Sequence, residues 1–379
     1  MEIARDVMRE GDFGGYIAAG KLARNHNYIY SDFRNTWPPF FSLFSIPLYL
    51  ANELSFVGLR LVWLLGICVA YIQIFAWIIS LFGENKLVFK LQSSSPNHVS
   101  LTHPLFLVPF LLTFRIFLEE VSNLQINVFI LFISILVLKL ILENRYFLAG
   151  LLLAIIISIK VYPLLILGFF VFKKKWAVVV STFIGLAVCT LSVALYFGFN
   201  ETYILYQNWI NQQVVYGMHC THLNQSIWGL TCGLFTENQR IEGLSLNLLN
   251  LSISQAKILT ISILSILGAI IGFSFYRKRN SPISLQIQYL IVLSLIPVLS
   301  PLAWKYYFVF IAPLCIYLSH RMDKGIGKST VILSFAIITF TSELFIGNRL
   351  SDITEAYGFI TLCSLLITLL SLNYQTIKQ

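Results

Sequence analysis

Long apolar runs separated by short polar connections fill the chain from residue 38 to near its end, and run length, not a two-residue alternation, is what recurs. Stretches such as Trp176 to Phe199 and Ala256 to Tyr276 are long enough to cross ~30 Å of hydrocarbon as helices. The alternating strands of a transmembrane barrel are absent from the pattern. By the length rule about eleven spans are predicted: 38–52, 57–82, 104–118, 123–142, 147–172, 176–199, 255–276, 284–300, 306–319, 329–346 and 356–373. The expected fold is all-α, a polytopic transmembrane helical bundle forming one integral membrane domain over 1–379. Residues 1–37 and 200–254 are its two long polar segments.

Composition agrees. With 57% hydrophobic and 11% charged residues among 379, the chain has too few charges to cover a soluble globule. The net charge of +9 does not point to nucleic acid, because the basic residues gather in short connections between apolar runs, where they act as orientation signals. "KKK" (Lys173 to Lys175), "RKR" (Arg277 to Arg279), "RMDKGIGK" (Arg321 to Lys328) and the tail with Lys378 are expected on the cytoplasmic side. The 200–254 loop and the "SPLAWKYY" turn (Ser300 to Tyr307) then face outward.

The run 147–172 contains "KVYP" (Lys160 to Pro163), readable as a hairpin tip or as a break within one span. One broken span places the opening segment and the long loop on the same, outward face. A hairpin separates them. A single site built from both polar regions requires the broken span. An outward opening segment also needs something to carry it across, so the expectation is a first helix preceding this sequence, or export of the N-terminus unaided.

Of six cysteines, Cys68, Cys189, Cys315 and Cys363 lie within apolar spans and read as small hydrophobes. Cys220 and Cys232 share the long loop; they are either bridged, if that loop is extracytoplasmic, or two free thiols.

Four polar groups stand out against this background. In the opening segment Asp12 lies among Gly11, Gly14 and Gly15, followed by "YIAAGKLARNHNYIY", which reads as a short amphipathic helix on the membrane surface. A carboxylate there suits a general base toward a sugar hydroxyl; a helix-capping Asp is the competing reading. Lys160 is an ammonium inside an apolar span with Pro163 three residues on, so it either faces a polar cavity and an anionic partner such as a lipid phosphate, or snorkels to a surface. "YGMHCTHLNQSIWG" (Tyr216 to Gly229) gathers His222, Asn224 and Gln225, groups that hold sugar hydroxyls or simply make a polar loop. The spacing of His219, Cys220 and His222 matches no usual zinc site, and no metal is expected. In the "SPLAWKYY" turn Trp304 reads as a sugar platform or a membrane-belt anchor, and Lys305, on an outward face, favours an anionic partner.

These regions, in this order, resemble glycosyltransferase family 87, a membrane family of the C-type glycosyltransferase superfamily that includes polyprenyl-phosphate-mannose-dependent alpha-1,2-mannosyltransferases. The likeness runs through Asp12, Tyr16, Ala18, Ala19, Tyr30 and "WPPF" (Trp37 to Phe40), then "LQIN" (Leu124 to Asn127) for a "GQ-x-N" element. It continues through "AGLLLAIIISIKVYPLL" (Ala149 to Leu165), "NQS" (Asn224 to Ser226) and "SPLAW" (Ser300 to Trp304). The family's leading helix is absent from the sequence in hand, and Tyr306 and Tyr307 stand where many members carry His.

The resemblance implies transfer of a hexose, mannose being the best-known case, from a polyprenyl-phosphate donor to a glycan or glycolipid acceptor at the outer face of the plasma membrane. It implies Asp12 as catalytic base, Lys160 and Lys305 at the donor phosphate, and Tyr16, His222, Asn224, Gln225 and Trp304 at substrate, with no cofactor. Two rivals share the lipid substrate: a transporter or flippase of lipid-linked saccharides, and a polysaccharide polymerase or ligase.

Overall fold

Inside hydrocarbon a backbone must satisfy its own hydrogen bonds, and the Leu-, Ile- and Phe-rich runs of this chain do so as helices. The computed structural model describes residues 8–82, 86–87, 98–216, 219–237, 241, 244, 246–279, 284–321 and 326–374. The "SSSP" connection (93–96), residues 322–325 of the "RMDKGIGK" connector and Lys378 lie outside them.

In chain order the helices are α1 (Gly11–Arg24), α2 (Pro39–Phe44), α3 (Ile46–Leu54), α4 (Phe56–Phe82), α5 (Pro104–Ser122), α6 (Asn127–Leu142), α7 (Tyr146–Ile159), α8 (Leu164–Phe172), α9 (Trp176–Phe197), α10 (Phe199–Tyr216), α11 (Ile227–Phe235), α12 (Ile253–Arg277), α13 (Ser284–Leu299), α14 (Ala312–Arg321), α15 (Ile326–Phe340), α16 (Glu343–Ile346), α17 (Asn348–Ala356) and α18 (Phe359–Ser371). Extended structure among the described residues amounts to isolated bridges and one parallel two-residue pair, β1 (Lys86–Leu87) on β2 (His98–Val99).

Among the described residues three helices are long and apolar enough to cross a membrane by themselves: α4, α9 and α12, of 27, 22 and 25 residues, or roughly 33–40 Å at ~1.5 Å per residue. The pair α17 and α18, bent by 51°, makes a fourth if taken as one span. Their outer faces are apolar and exposed, as at Leu61, Val62 and Leu65 on α4, Val188 and Leu195 on α9, and Ile258, Ile261 and Ile266 on α12. Exposed faces of that kind belong against lipid. Other expected spans are divided. Residues 38–52 form two short helices that meet at Ser45, with Pro39 and Pro47 each in a first turn. Residues 123–126 are a polar connection, so the span expected from 123 begins at Asn127. Residues 305–311 are a 3-10 stretch before α14.

Contacts within the chain define two compact units, one of Met1–Ile74 with Glu119–Tyr216, the other of Phe75–Leu118 with Gly217–Gln379. In the first, α7 stops at Ile159, Lys160 is extended, and α8 resumes after Pro163. Tyr146 lies beside Lys175 and Ser181, Gly150 beside Val178 and Ser181, and Ala154 beside Gly185, so α7 and α9 run parallel and α8 returns between them: the segment is a hairpin with its tip at Lys160 to Pro163, and not the single broken span that a site shared by both polar regions required. The α7–α9 contact is close because small residues line it. A Cβ added to Gly150 would collide with Ser181 and come within 2.6 Å of the Val178 carbonyl, and one on Gly185 would come within 2.5 Å of Ala154. In the same unit α1 rests on α2 and α3, where Gly20 admits the backbone of Ser45.

Candidate active site

The opening segment is a helix with one buried face. Phe13, Tyr16, Ala19, Gly20 and Ala23 recur at helical spacing and are buried, and Asp12, half-buried, lies one turn before Tyr16. Helix α1 begins at Gly11 and ends at Arg24, earlier at both ends than the expected amphipathic stretch. Tyr16 is 0% exposed, with the rings of Trp37 and Phe41 at 4.7 and 5.1 Å, and its hydroxyl donates to Oε1 of Gln125 at 2.9 Å.

Gln125 belongs to the connection between α5 and α6, where Leu124 turns the chain with φ +46. The turn is held by the backbone N–H of Gln125 donating to the Glu120 carbonyl at 3.0 Å and by Trp63 Nε1 donating to the Leu124 carbonyl at 3.0 Å. From there Nε2 of Gln125 donates to Oδ2 of Asp12.

Lys160 enters from the break between α7 and α8. Its side chain is buried at 5% exposure, and its hydrogen bonds include Oε1 of Gln125 at 3.3 Å and Oδ1 of Asn127 at 3.0 Å. Tyr162 donates to the same Asn127 oxygen at 2.6 Å. The amide nitrogen of Asn127 donates to Oε1 of the buried Glu120 at 2.6 Å, and Glu120 Oε2 accepts from the backbone N–H of Val128 in the first turn of α6. Asp12, Gln125, Lys160, Asn127 and Glu120 thus form one hydrogen-bonded chain, in which an ammonium is flanked by two amides and each amide by a carboxylate.

Beside it lies an open cleft of about 220 Å³ lined by Arg9, Glu10, Gly11, Phe13, Glu119, Ser122, Asn123 and Leu124. Its walls are the neighbours of Asp12 on one side and the approach to Gln125 on the other. The rim is fixed by Arg34, which pairs with Glu10 at 3.3 Å and Asp32 at 2.7 Å. The Arg34 hydrogen bonds hold the Asp32 carboxyl below the usual carboxylate range. Burial pushes the Tyr30 hydroxyl well up, so it remains a donor, to the Trp37 carbonyl at 3.0 Å.

The second unit has its own polar cluster. Cys220 and Cys232 are disulfide-bonded, with Cα atoms 5.4 Å apart, tying the loop to α11. Asn224 donates to the carbonyls of His219 and Pro301 at 3.0 and 3.1 Å and accepts from the Ala303 N–H at 3.1 Å. Gln225 Nε2 donates to the carbonyls of His222 and Glu355 at 2.6 and 2.9 Å. Ser226 caps α11 by accepting from the Gly229 N–H at 3.0 Å. Lys305 lies 2.8 Å from Oε1 of the buried Glu355 and 3.5 Å from Glu343, Arg115 lies 3.4 Å from that same Glu355 oxygen, and His222 lies 3.6 Å from Asp352.

Residues 35–301 match the sequence model of glycosyltransferase family 87. The chain belongs to glycosyltransferase family 87. It is therefore a membrane glycosyltransferase, with a sugar donor and an acceptor as its substrates. The family 87 match takes in Gln125, Asn127, Lys160, His222, Asn224 and Gln225; Asp12, Tyr16, Trp304 and Lys305 lie outside it. Comparison with curated proteins and with solved structures returns no match.

Within this family 87 chain the structure brings Asp12 and Lys160 together through Gln125, and it places the other expected site residues as follows. Tyr16 is enclosed by aromatic rings, and its hydroxyl donates inward to Gln125. Asn224 and Gln225, each 1% exposed, are engaged by backbone groups and fasten the loop to the "SPLAW" turn. Lys305 is paired with carboxylates, which balance the charge a donor phosphate would need. His222 and Trp304 remain half-buried at the surface of the second unit.

His222, Asp352 and Glu355 offer ligand-type atoms within 4.8 Å of one another. Lys305 and Arg115 already stand against Glu355 where a divalent ion's charge would act. Glu120, Asp352 and Glu355 were not singled out from the sequence, since acidic residues on helices are ordinary until their partners are known.

Proposed function

We propose that this family 87 enzyme moves a hexose from a polyprenyl-phosphate donor to a hydroxyl of a glycan or glycolipid acceptor, with inversion and without a metal. The observation that carries the proposal is the hydrogen-bonded bridge Asp12–Gln125–Lys160, which couples a carboxylate beside an open cleft to a buried ammonium. An acceptor hydroxyl in the cleft gives its proton to Asp12 as its oxygen bonds to the anomeric carbon. The bond from that carbon to the lipid phosphate oxygen breaks, and its electron pair leaves with the phosphate. Lys160 stabilises the departing phosphate charge in surroundings walled off from bulk water. Because the leaving group is a phosphate monoester, the step has no diphosphate for a metal to bridge.

The site faces the extracytoplasmic side of the plasma membrane in this reading. One feature supports that placement: the basic connector "KKK", at the base of the α7–α8 hairpin, suits the cytoplasm, and Lys160 stands at the opposite end of that hairpin, at its tip. About eleven crossings, several made by short or broken helices, complete the proposed topology.

Purified enzyme incubated with polyprenyl-phosphate [¹⁴C]hexose and a membrane lipid and glycan extract tests the reading. Label should pass from the lipid phosphate to a new product, with the anomeric configuration inverted. Label that stays on the donor, or a product of retained configuration, contradicts it.

A further inference from the structure

We propose that Gln125 is a positioning residue of the transfer reaction: it locks the Asp12 carboxylate in one orientation relative to Lys160. The proposal rests on the assignment of Asp12 as the base.

The amide of Gln125 has one acceptable orientation. Its oxygen faces two donors, the Tyr16 hydroxyl at 2.9 Å and the Lys160 ammonium at 3.3 Å, while its nitrogen faces the Asp12 carboxylate, which in its ionised form only accepts. Turning the amide over would set NH₂ against ammonium and a carbonyl oxygen against carboxylate, two repulsive contacts in place of attractive ones. The residue is 1% exposed, so no solvent rescues a wrong orientation. The neighbouring Asn127 repeats the pattern, with its oxygen toward Lys160 and Tyr162 and its nitrogen toward Glu120.

Lys160 therefore fixes the orientation of each amide, and Gln125 passes that orientation to Asp12. A base must meet its proton within hydrogen-bond reach, and this bond holds Asp12, half-buried on the first turn of α1, in a set orientation toward Gln125.

A double-mutant cycle distinguishes positioning from general support of the fold. The variants Q125L, D12N and D12N/Q125L are purified in detergent, and transfer from polyprenyl-phosphate [¹⁴C]hexose is measured beside the thermal midpoint. Q125L should lose roughly 10- to 100-fold in kcat, while in the D12N background the same change should cost less than about 2-fold, because the group it positions is gone. Equal losses in both backgrounds overturn the proposal.

If Q125L does not accumulate as folded protein, Q125E carries the test. It keeps the shape and the acceptor oxygens but removes the donor to Asp12, and should lose at least as much activity as predicted for Q125L; activity within 3-fold of wild type overturns the proposal. Failure of the underlying reading looks different: there D12N itself transfers at the wild-type rate.

Discussion

The ammonium of Lys160 sits 3.3 Å from Oε1 of Gln125, the amide whose nitrogen donates to Asp12. A cation so held, at the break of an apolar helix, is suited to stabilise charge that develops on a lipid phosphate. Lys160→Met is expected to lower the rate of sugar transfer by about 10²–10³-fold. Transfer within 3-fold of wild type in membranes of equal enzyme content removes Lys160 from the reaction.

Asn127 separates Lys160 from Glu120 and satisfies both. Asn127→Leu leaves the buried Glu120 one donor short and takes an acceptor from Lys160 and Tyr162. The expected cost is roughly 1–3 kcal/mol for each group left unsatisfied, visible as a lower thermal midpoint in detergent. An unchanged midpoint contradicts the arrangement.

The Cys220–Cys232 bridge spans a sequence separation of 12, a loop whose closure contributes about 3 kcal/mol in the chain-entropy description. The double variant C220S/C232S should melt lower than wild type. Reductant should lower the wild-type midpoint and leave the variant's unchanged. Labelling of these thiols by a membrane-impermeant maleimide, in intact cells after reduction, reports the side of the membrane on which the loop stands.

Asp32 supplies the pH dependence. The side-chain hydrogen bonds of Arg34 depress its folded pKa, so its contribution is complete above the unfolded value of roughly 3.9 and is lost as pH falls through the folded one. Wild type should therefore be more heat-stable than Asp32→Asn at pH 6, and the gap should close below about pH 4. A gap that stays constant into acid assigns the stability to something other than this ion pair.

Lys160 was legible in the sequence because a charge in apolar surroundings is costly, and Pro163 signalled the helix break beside it, whereas Asp12 stood out only as a carboxylate among glycines in a polar segment. The amide between them was legible only as part of a loose "LQIN" motif, since what Gln125 touches is 113 residues away at Asp12 and 35 at Lys160. Tyr16 shows the same limit: an aromatic near charges has the same sequence signature whether it lines a site or supports it from behind. Asn224 and Gln225 depend on Ala303 and Glu355, far along the chain, and a polar loop does not reveal that its amides are committed to backbone. The long spans α4, α9 and α12 were plain from length, while the division at Ser45 came from local geometry between two prolines that apolar content does not report.

If Asp12 is the base that takes the acceptor's proton, Asp12→Asn, nearly the same size and still able to face Gln125, should leave the enzyme folded yet cut sugar transfer by about 10²–10⁴-fold. The decisive quantity is the rate at which purified D12N moves [¹⁴C]hexose from polyprenyl phosphate to acceptor, compared with wild type at equal thermal midpoint. A folded D12N enzyme that transfers sugar at the wild-type rate would show that the proton goes elsewhere.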